Sequence, residues 1–143
     1  GTVLVELYDV TGGTTSRFAN VSVRHYVGTG SDVLIAGFTV GGTGTKRLLL
    51  RAVGPGLAQF GLTGTLADPK VQVFDGDTVV ETNDTWDPAL ASTFASVGAF
   101  GLPAGSKDAA LAVTLRAGRS YTVIVSGADG GSGEALVEVY ELP

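Results

Sequence analysis

The sequence predicts an all-β fold, an antiparallel β-sandwich with jelly-roll or Greek-key links and one or two short helices. Three observations carry this expectation. Short runs rich in β-branched and aromatic residues recur along the chain, several alternating apolar and polar with period two. Clusters of Gly, Asp, Ser and Thr separate these runs, and 22 of the 143 residues are glycine, which suits tight turns. Helical spacing appears in two short stretches only.

In chain order, strands are expected at Val3–Tyr8, Ala19–Tyr26, Asp32–Val40, Lys46–Val53, Lys70–Phe74, Thr78–Thr82, Ala109–Leu115, Ser120–Ser126 and Glu134–Glu141. The segments "VGTGSD", "GGTGTK", "DGD", "RAGRS" and "GADGGSG" between them read as turns. Leu111, Val113 and Leu115 share one strand face, as do Tyr121, Val123 and Val125. "DVLIAGFTV" is apolar on both faces, which predicts a central strand covered on both sides or a strand at a contact between modules. A turn with a short helical bend is expected over Leu57–Phe60. A second helix is expected over Pro88–Ser96, with Asp87 as N-cap, Pro88 at the first helical position, and Leu90, Phe94 and Val97 at helical spacing.

Composition narrows the function classes. The chain is 44% hydrophobic and 16% charged, with net charge −5. Its basic residues are scattered, which argues against a nucleic-acid partner. No apolar run reaches the ~18 residues of a membrane span. Cysteine and methionine are both absent. A chain without methionine is expected to be processed or to be a window on a longer polypeptide, and the lack of thiols suits an exported protein.

Catalytic patterns are weak. "GGTGTKR" departs from a phosphate-binding loop, because Thr45 separates the last Gly from Lys46, and "RLLLRAV" is a strand. It reads as a hairpin turn. His25, the only histidine, has Ser22 on the opposite strand face, so no nucleophile–base pair forms there. A glycosidase would need two carboxylates across a cleft, whereas the acids here sit in turn-forming sequence.

The acidic segment "LADPKVQVFDGDTVVETNDTWD" offers the candidate site. Asp75, Asp77, Asn83, Asp84 and Asp87 are hard oxygen donors on predicted turns, a composition that suits Ca2+. The same residues are ordinary turn and cap formers. Asn20-Val-Ser and Asn83-Asp-Thr are glycosylation sequons. Trp86, the single Trp, is either a sugar-stacking platform or, beside a helix start, a core plug.

The two ends of the chain carry nearly the same strand. In "GTVLVELYDV", Gly1, Leu4, Val5, Glu6 and Tyr8 recur as Gly133, Leu136, Val137, Glu138 and Tyr140 of "GEALVEVYEL". Alternation explains the apolar positions but not the matched Gly, Glu and Tyr. The sequence therefore reads as a module at residues 11–143 with an overhanging strand at 1–10 that belongs to the adjacent repeat or subunit. Val3, Val5, Leu7 and Tyr8 are its candidate assembly residues.

The second half, with "VQVFDGD", the Asn83–Asp84 pair, the "AG…Y-x-V-x-V-x-G" run ending at Gly127 and the final "ALVEVYEL", resembles the pre-peptidase C-terminal β-sandwiches of secreted bacterial proteins. From Thr11 to Leu142 the chain resembles modules that recur in tandem in very long secreted bacterial proteins. The resemblance implies an extracellular or cell-surface, non-catalytic module, and in the pre-peptidase relatives Asp75, Asn83 and Asp84 correspond to positions that sometimes hold calcium. The leading functional expectation is a structural repeat of a fibre or filament whose partners are copies of itself, joined head to tail by a terminal strand. The alternative is a calcium-assisted accessory module of a secreted enzyme, binding surface polysaccharide or protein.

Overall fold

In the computed structural model, residues 19–143 are described, so the expected strand Val3–Tyr8 and the overhang 1–10 lie outside the described residues. Eight strands form: β1 (Asn20–Val27), β2 (Leu34–Val40), β3 (Thr45–Val53), β4 (Pro69–Asp75), β5 (Thr78–Asn83), β6 (Ala109–Arg116), β7 (Arg119–Gly127) and β8 (Gly133–Glu141). Each starts and ends within two residues of its expected place.

Pairing follows one plan. β1 pairs with β8, β2 with β7, β3 with β6 and β4 with β5, all antiparallel. This is a single long hairpin that turns at Gly76–Asp77, where Gly76 takes φ +59°. Rolling the hairpin up brings β3 beside β8 and β4 beside β7. The result is two four-stranded sheets, ordered β1-β8-β3-β6 and β2-β7-β4-β5. That order is a jelly roll.

The alternating residues meet between the sheets. Leu50, Ala52, Leu111, Val113 and Val137 of the first sheet pack against Val71, Val73, Tyr121, Val123 and Val125 of the second. Tyr121 keeps its polar tip satisfied at the core's edge, where its hydroxyl accepts from Arg116 N (2.9 Å) and donates to Arg116 O (3.2 Å).

A second apolar layer covers the outer face of the first sheet. Leu49, Val53, Ala110 and Tyr140 meet Leu57, Trp86, Phe94 and Leu102 from two covering segments. One segment contains a 3-10 turn, Pro55–Phe60. The other runs from a 3-10 turn at Pro88–Leu90 into α1 (Ala91–Ser96). Asp87 caps it as expected, its carboxylate accepting from Ala89 N at 2.9 Å. Phe94 is buried, and Leu90 and Val97 pack beside it. Trp86 is a core plug rather than a sugar platform, with its ring 5.5 Å from that of Phe94. No helix among the described residues is long and apolar enough to cross a membrane.

Two local expectations are corrected. Of the two alternatives for "DVLIAGFTV", the central strand is overturned and the strand at a contact between modules is left: among the described residues β2 is an edge strand that pairs only with β7, and Ile35 on its outer face is 59% exposed. "GGTGTKR" is not a hairpin turn, because β2 and β3 belong to different sheets. The loop crosses between them and is pinned to the β6–β7 turn by Ala117 N to Gly44 O (2.9 Å) and Gly118 N to Val40 O (2.7 Å). Finally, the start of β1 lies beside the end of β8, with Glu141 N donating to Ala19 O at 3.0 Å.

Replacing Asp87 with Ala removes the cap of the covering segment and is expected to cost about 1 kcal/mol of stability, read as a lower urea midpoint with unchanged slope.

Candidate functional site

The candidate calcium residues are placed but not gathered. β5, six residues long, spans about 20 Å at roughly 3.3 Å per residue, so Asp75 and Asp77 at one end stand far from Asn83, Asp84 and Asp87 at the other. Asp75 pairs with Arg119 at 3.0 Å. Asn83 spends both ends of its amide on backbone, accepting from Ala110 N (3.0 Å) and donating to Thr85 O (2.9 Å). Asp87 is the helix cap. Near Asp84, Lys107 sits among acids and bonds Asp68 at 2.6 Å. Hydrogen bonding to Asp68 and its charge, with smaller contributions from Asp129 and Asp84, raise the Lys107 pKa. Among the described residues, no three His, Cys, Asp or Glu side chains form a group able to hold a metal. His25 lies exposed on β1, its Nδ1 2.8 Å from Tyr26 O.

Two buried polar centres escaped the sequence reading. The first joins β3, β8 and the covering segment. Arg51, fully buried, donates through Nε to Glu138 Oε2 (2.8 Å) and through Nη1 to Phe100 O (2.6 Å). Its guanidinium carbon lies 4.8 Å and 4.3 Å from the ring centroids of Phe94 and Phe100, and such cation–π contacts strengthen when desolvated. Tyr140 completes the centre by donating to Glu138 Oε1 at 2.7 Å. The second centre is Asp108. It is buried, and it accepts from Gly54 N (2.8 Å), Gly56 N (3.0 Å) and Ser106 Oγ (2.6 Å). A Cβ at Gly54 would lie 2.0 Å from Leu66 O, so the "GPG" bend needs glycine there. That tripeptide is the one sequence signal for the centre.

The first centre explains the matched residues of the terminal repeat. Glu138 is the partner of Arg51, and Tyr140 holds Glu138. Gly133 lies where a Cβ would come within 2.5 Å of Leu66 N, because Leu66 N donates to Glu134 O across the start of β8 (2.8 Å). Each non-apolar match therefore has a task in β8, and Gly1, Glu6 and Tyr8 repeat that set.

Among the described residues, one flank of the sandwich stays open. β1 and β2 are the edge strands there, and seven of the eight β1 residues are exposed. Val21 and Val23 sit opposite Val139 and Val137 of β8, so they share the core-facing side. They are nevertheless 40% and 38% exposed. Across the gap, Ala36 and Phe38 of β2 are only partly buried.

Replacing Glu138 with Ala strands the buried Arg51 charge and is expected to cost about 3–5 kcal/mol, measured by urea denaturation. Burial, then the hydrogen bond to Glu138 and its negative charge, push the Tyr140 pKa from 10.0 up to about 12. A raised phenol pKa means that the folded state holds the proton more tightly. The associated stability is complete below pH ~10 and is lost as pH rises toward 12. Tyr140→Phe should flatten that alkaline slope.

No family model and no curated protein matches the chain. Among solved structures, the fold is similar to that of the pre-peptidase C-terminal domain of a collagenase from Bacillus anthracis. The similarity has a TM-score of 0.51 and 12% identity over 84% of this chain and 88% of that one. At that identity the likeness bears on the fold alone. In architecture the chain is similar to a pre-peptidase C-terminal β-sandwich.

Proposed function

We propose that this protein is a non-catalytic structural unit of an extracellular fibre or cell-surface filament, and that its units join head to tail through a terminal β-strand. The observation that carries the reading is the position of β8. It is hydrogen-bonded on both sides, to β1 and β3, and buries Ala135 and Val137 in the core. The sequence holds two copies of this strand but the sandwich has one such slot, already filled. On this reading Gly1–Val10 belongs to a neighbouring unit, either as the last strand of a preceding repeat or as an added strand of a separate copy. A strand rule repeated from unit to unit makes an open, non-closing array. The similarity in fold to a domain attached to a collagenase supports an accessory role for the sandwich, and the resemblance to secreted bacterial modules supports the extracellular setting.

Burying Val5 and Leu7 in a neighbour contributes about 1.5–3 kcal/mol for each, less the cost of ordering the strand. Sedimentation of residues 1–143 should show species that grow with concentration. Removing residues 1–10 should leave single chains with the same β-rich circular dichroism. A full chain that stays single at every concentration overturns the reading.

A further inference from the structure

The geometry points to the edge of β1 that carries no partner strand among the described residues as the site that receives residues Gly1–Val10 of a second copy, closing the mouth between β1 and β2. This rests on the head-to-tail reading above and names the receiving surface. In a folded neighbour the β8 slot is full, and emptying it would strand Arg51 in the core. The outer edge of β1, which pairs with no strand among the described residues, is the alternative, and three features fit it to this strand.

The first is shape. β1 has eight residues, close to the length of the incoming segment. Val21 and Val23 are exposed on the core-facing side, above the partly buried Ala36 and Phe38. One more strand with apolar residues at alternate positions would cover all four, and Val3, Val5 and Leu7 have that spacing. The second is pairing preference. β1 already binds a strand of this pattern on its other edge, as Ala135 and Val137 stand beside His25 and Val23. The third is charge. Arg24 projects from the other face of β1, 53% exposed and only loosely paired with Glu134 at 3.6 Å. With Val3, Val5 and Leu7 turned inward, Glu6 falls on the face of Arg24.

The test uses complementation. Val5→Lys damages the incoming strand and leaves the receiving edge intact, whereas Val23→Lys does the reverse. Each variant alone should sediment as single chains. A one-to-one mixture should form two-chain species that grow no further, because one good strand meets one good edge. Circular dichroism checks that both variants are folded. As a milder probe, Arg24→Glu should weaken assembly about two- to five-fold, and Glu6→Arg introduced into the same chain should restore it. If the unaltered chain assembles but Val23→Lys and Arg24→Glu assemble equally well, the strand docks elsewhere and the proposal is overturned, while the fibre reading stands. If both lysine variants fail and the mixture does not recover, Val5 and Val23 are not the two halves of one contact between copies, which also overturns it. An unaltered chain that never associates removes the fibre reading and this site together.

Discussion

The buried contact between Arg51 and Glu138 is the point on which three parts of the molecule meet. Arg51 comes from β3 and Glu138 from β8, the two central strands of the first sheet. Phe94 and Phe100, stacked on the guanidinium, come from the segment that covers it. Ion pairs taken out of water seldom add stability over an apolar replacement, but losing one partner is costly. The pair therefore acts as a constraint of register. Arg51 can meet Glu138 only when β3 and β8 are aligned as they are, and a one-residue slip of either strand would turn its own charged side chain toward the other face of the sheet, away from its partner. Asp108 does a similar job beside the edge strand β6, holding the "GPG" bend and Trp86 in place.

Among the described residues the rolled hairpin leaves four edge strands, two on each flank, and the flanks are treated differently. On the β5–β6 side, the chain leaving β5 turns back over the β6 edge. There Asn83 accepts from Ala110 N and Trp86 N donates to Asp108 O at 2.9 Å. Free backbone groups are thus capped by the protein's own side chains and turns, a common protection against unwanted pairing. On the β1–β2 side no such seal exists among the described residues, and apolar side chains that face the core remain in view of solvent. Sealed on one flank and open on the other among its described residues, the sandwich has a built-in polarity.

How much of this was legible in the sequence depends on the range of the interaction. Alternation and glycine turns are local, so all eight described strands could be read, as could the Asp87-Pro88 start of the covering segment. Sheet membership is not local. "DVLIAGFTV" looked central because both of its faces are apolar, yet β2 lies at an edge where Ile35 faces outward. "GGTGTKR" looked like a hairpin because its flanking strands are consecutive, but they belong to different sheets. The acidic turns lie close in sequence, but an extended strand carries two residues apart by more than 3 Å at every step. Arg51 and Glu138 are 87 positions apart, and nothing in either neighbourhood announces the other. Only the Glu and Tyr kept in both terminal copies hinted that β8 carries more than packing.

The nearness of Ala19 to Glu141 bears on how such a unit responds to mechanical load. Tension applied through these two points would pull the first and last strands apart from their shared end. The hydrogen bonds between β1 and β8 would then be strained one after another, as in a zipper, rather than all at once in shear. The Lys46–Glu141 contact at 3.0 Å and the bond from Leu142 N to Arg47 O at 2.9 Å tie the end of β8 to β3 rather than to β1. Under load, β1 would therefore peel first while β8 stayed seated. In a fibre of the kind proposed, such sandwiches would lengthen in small steps at modest force before any core opened.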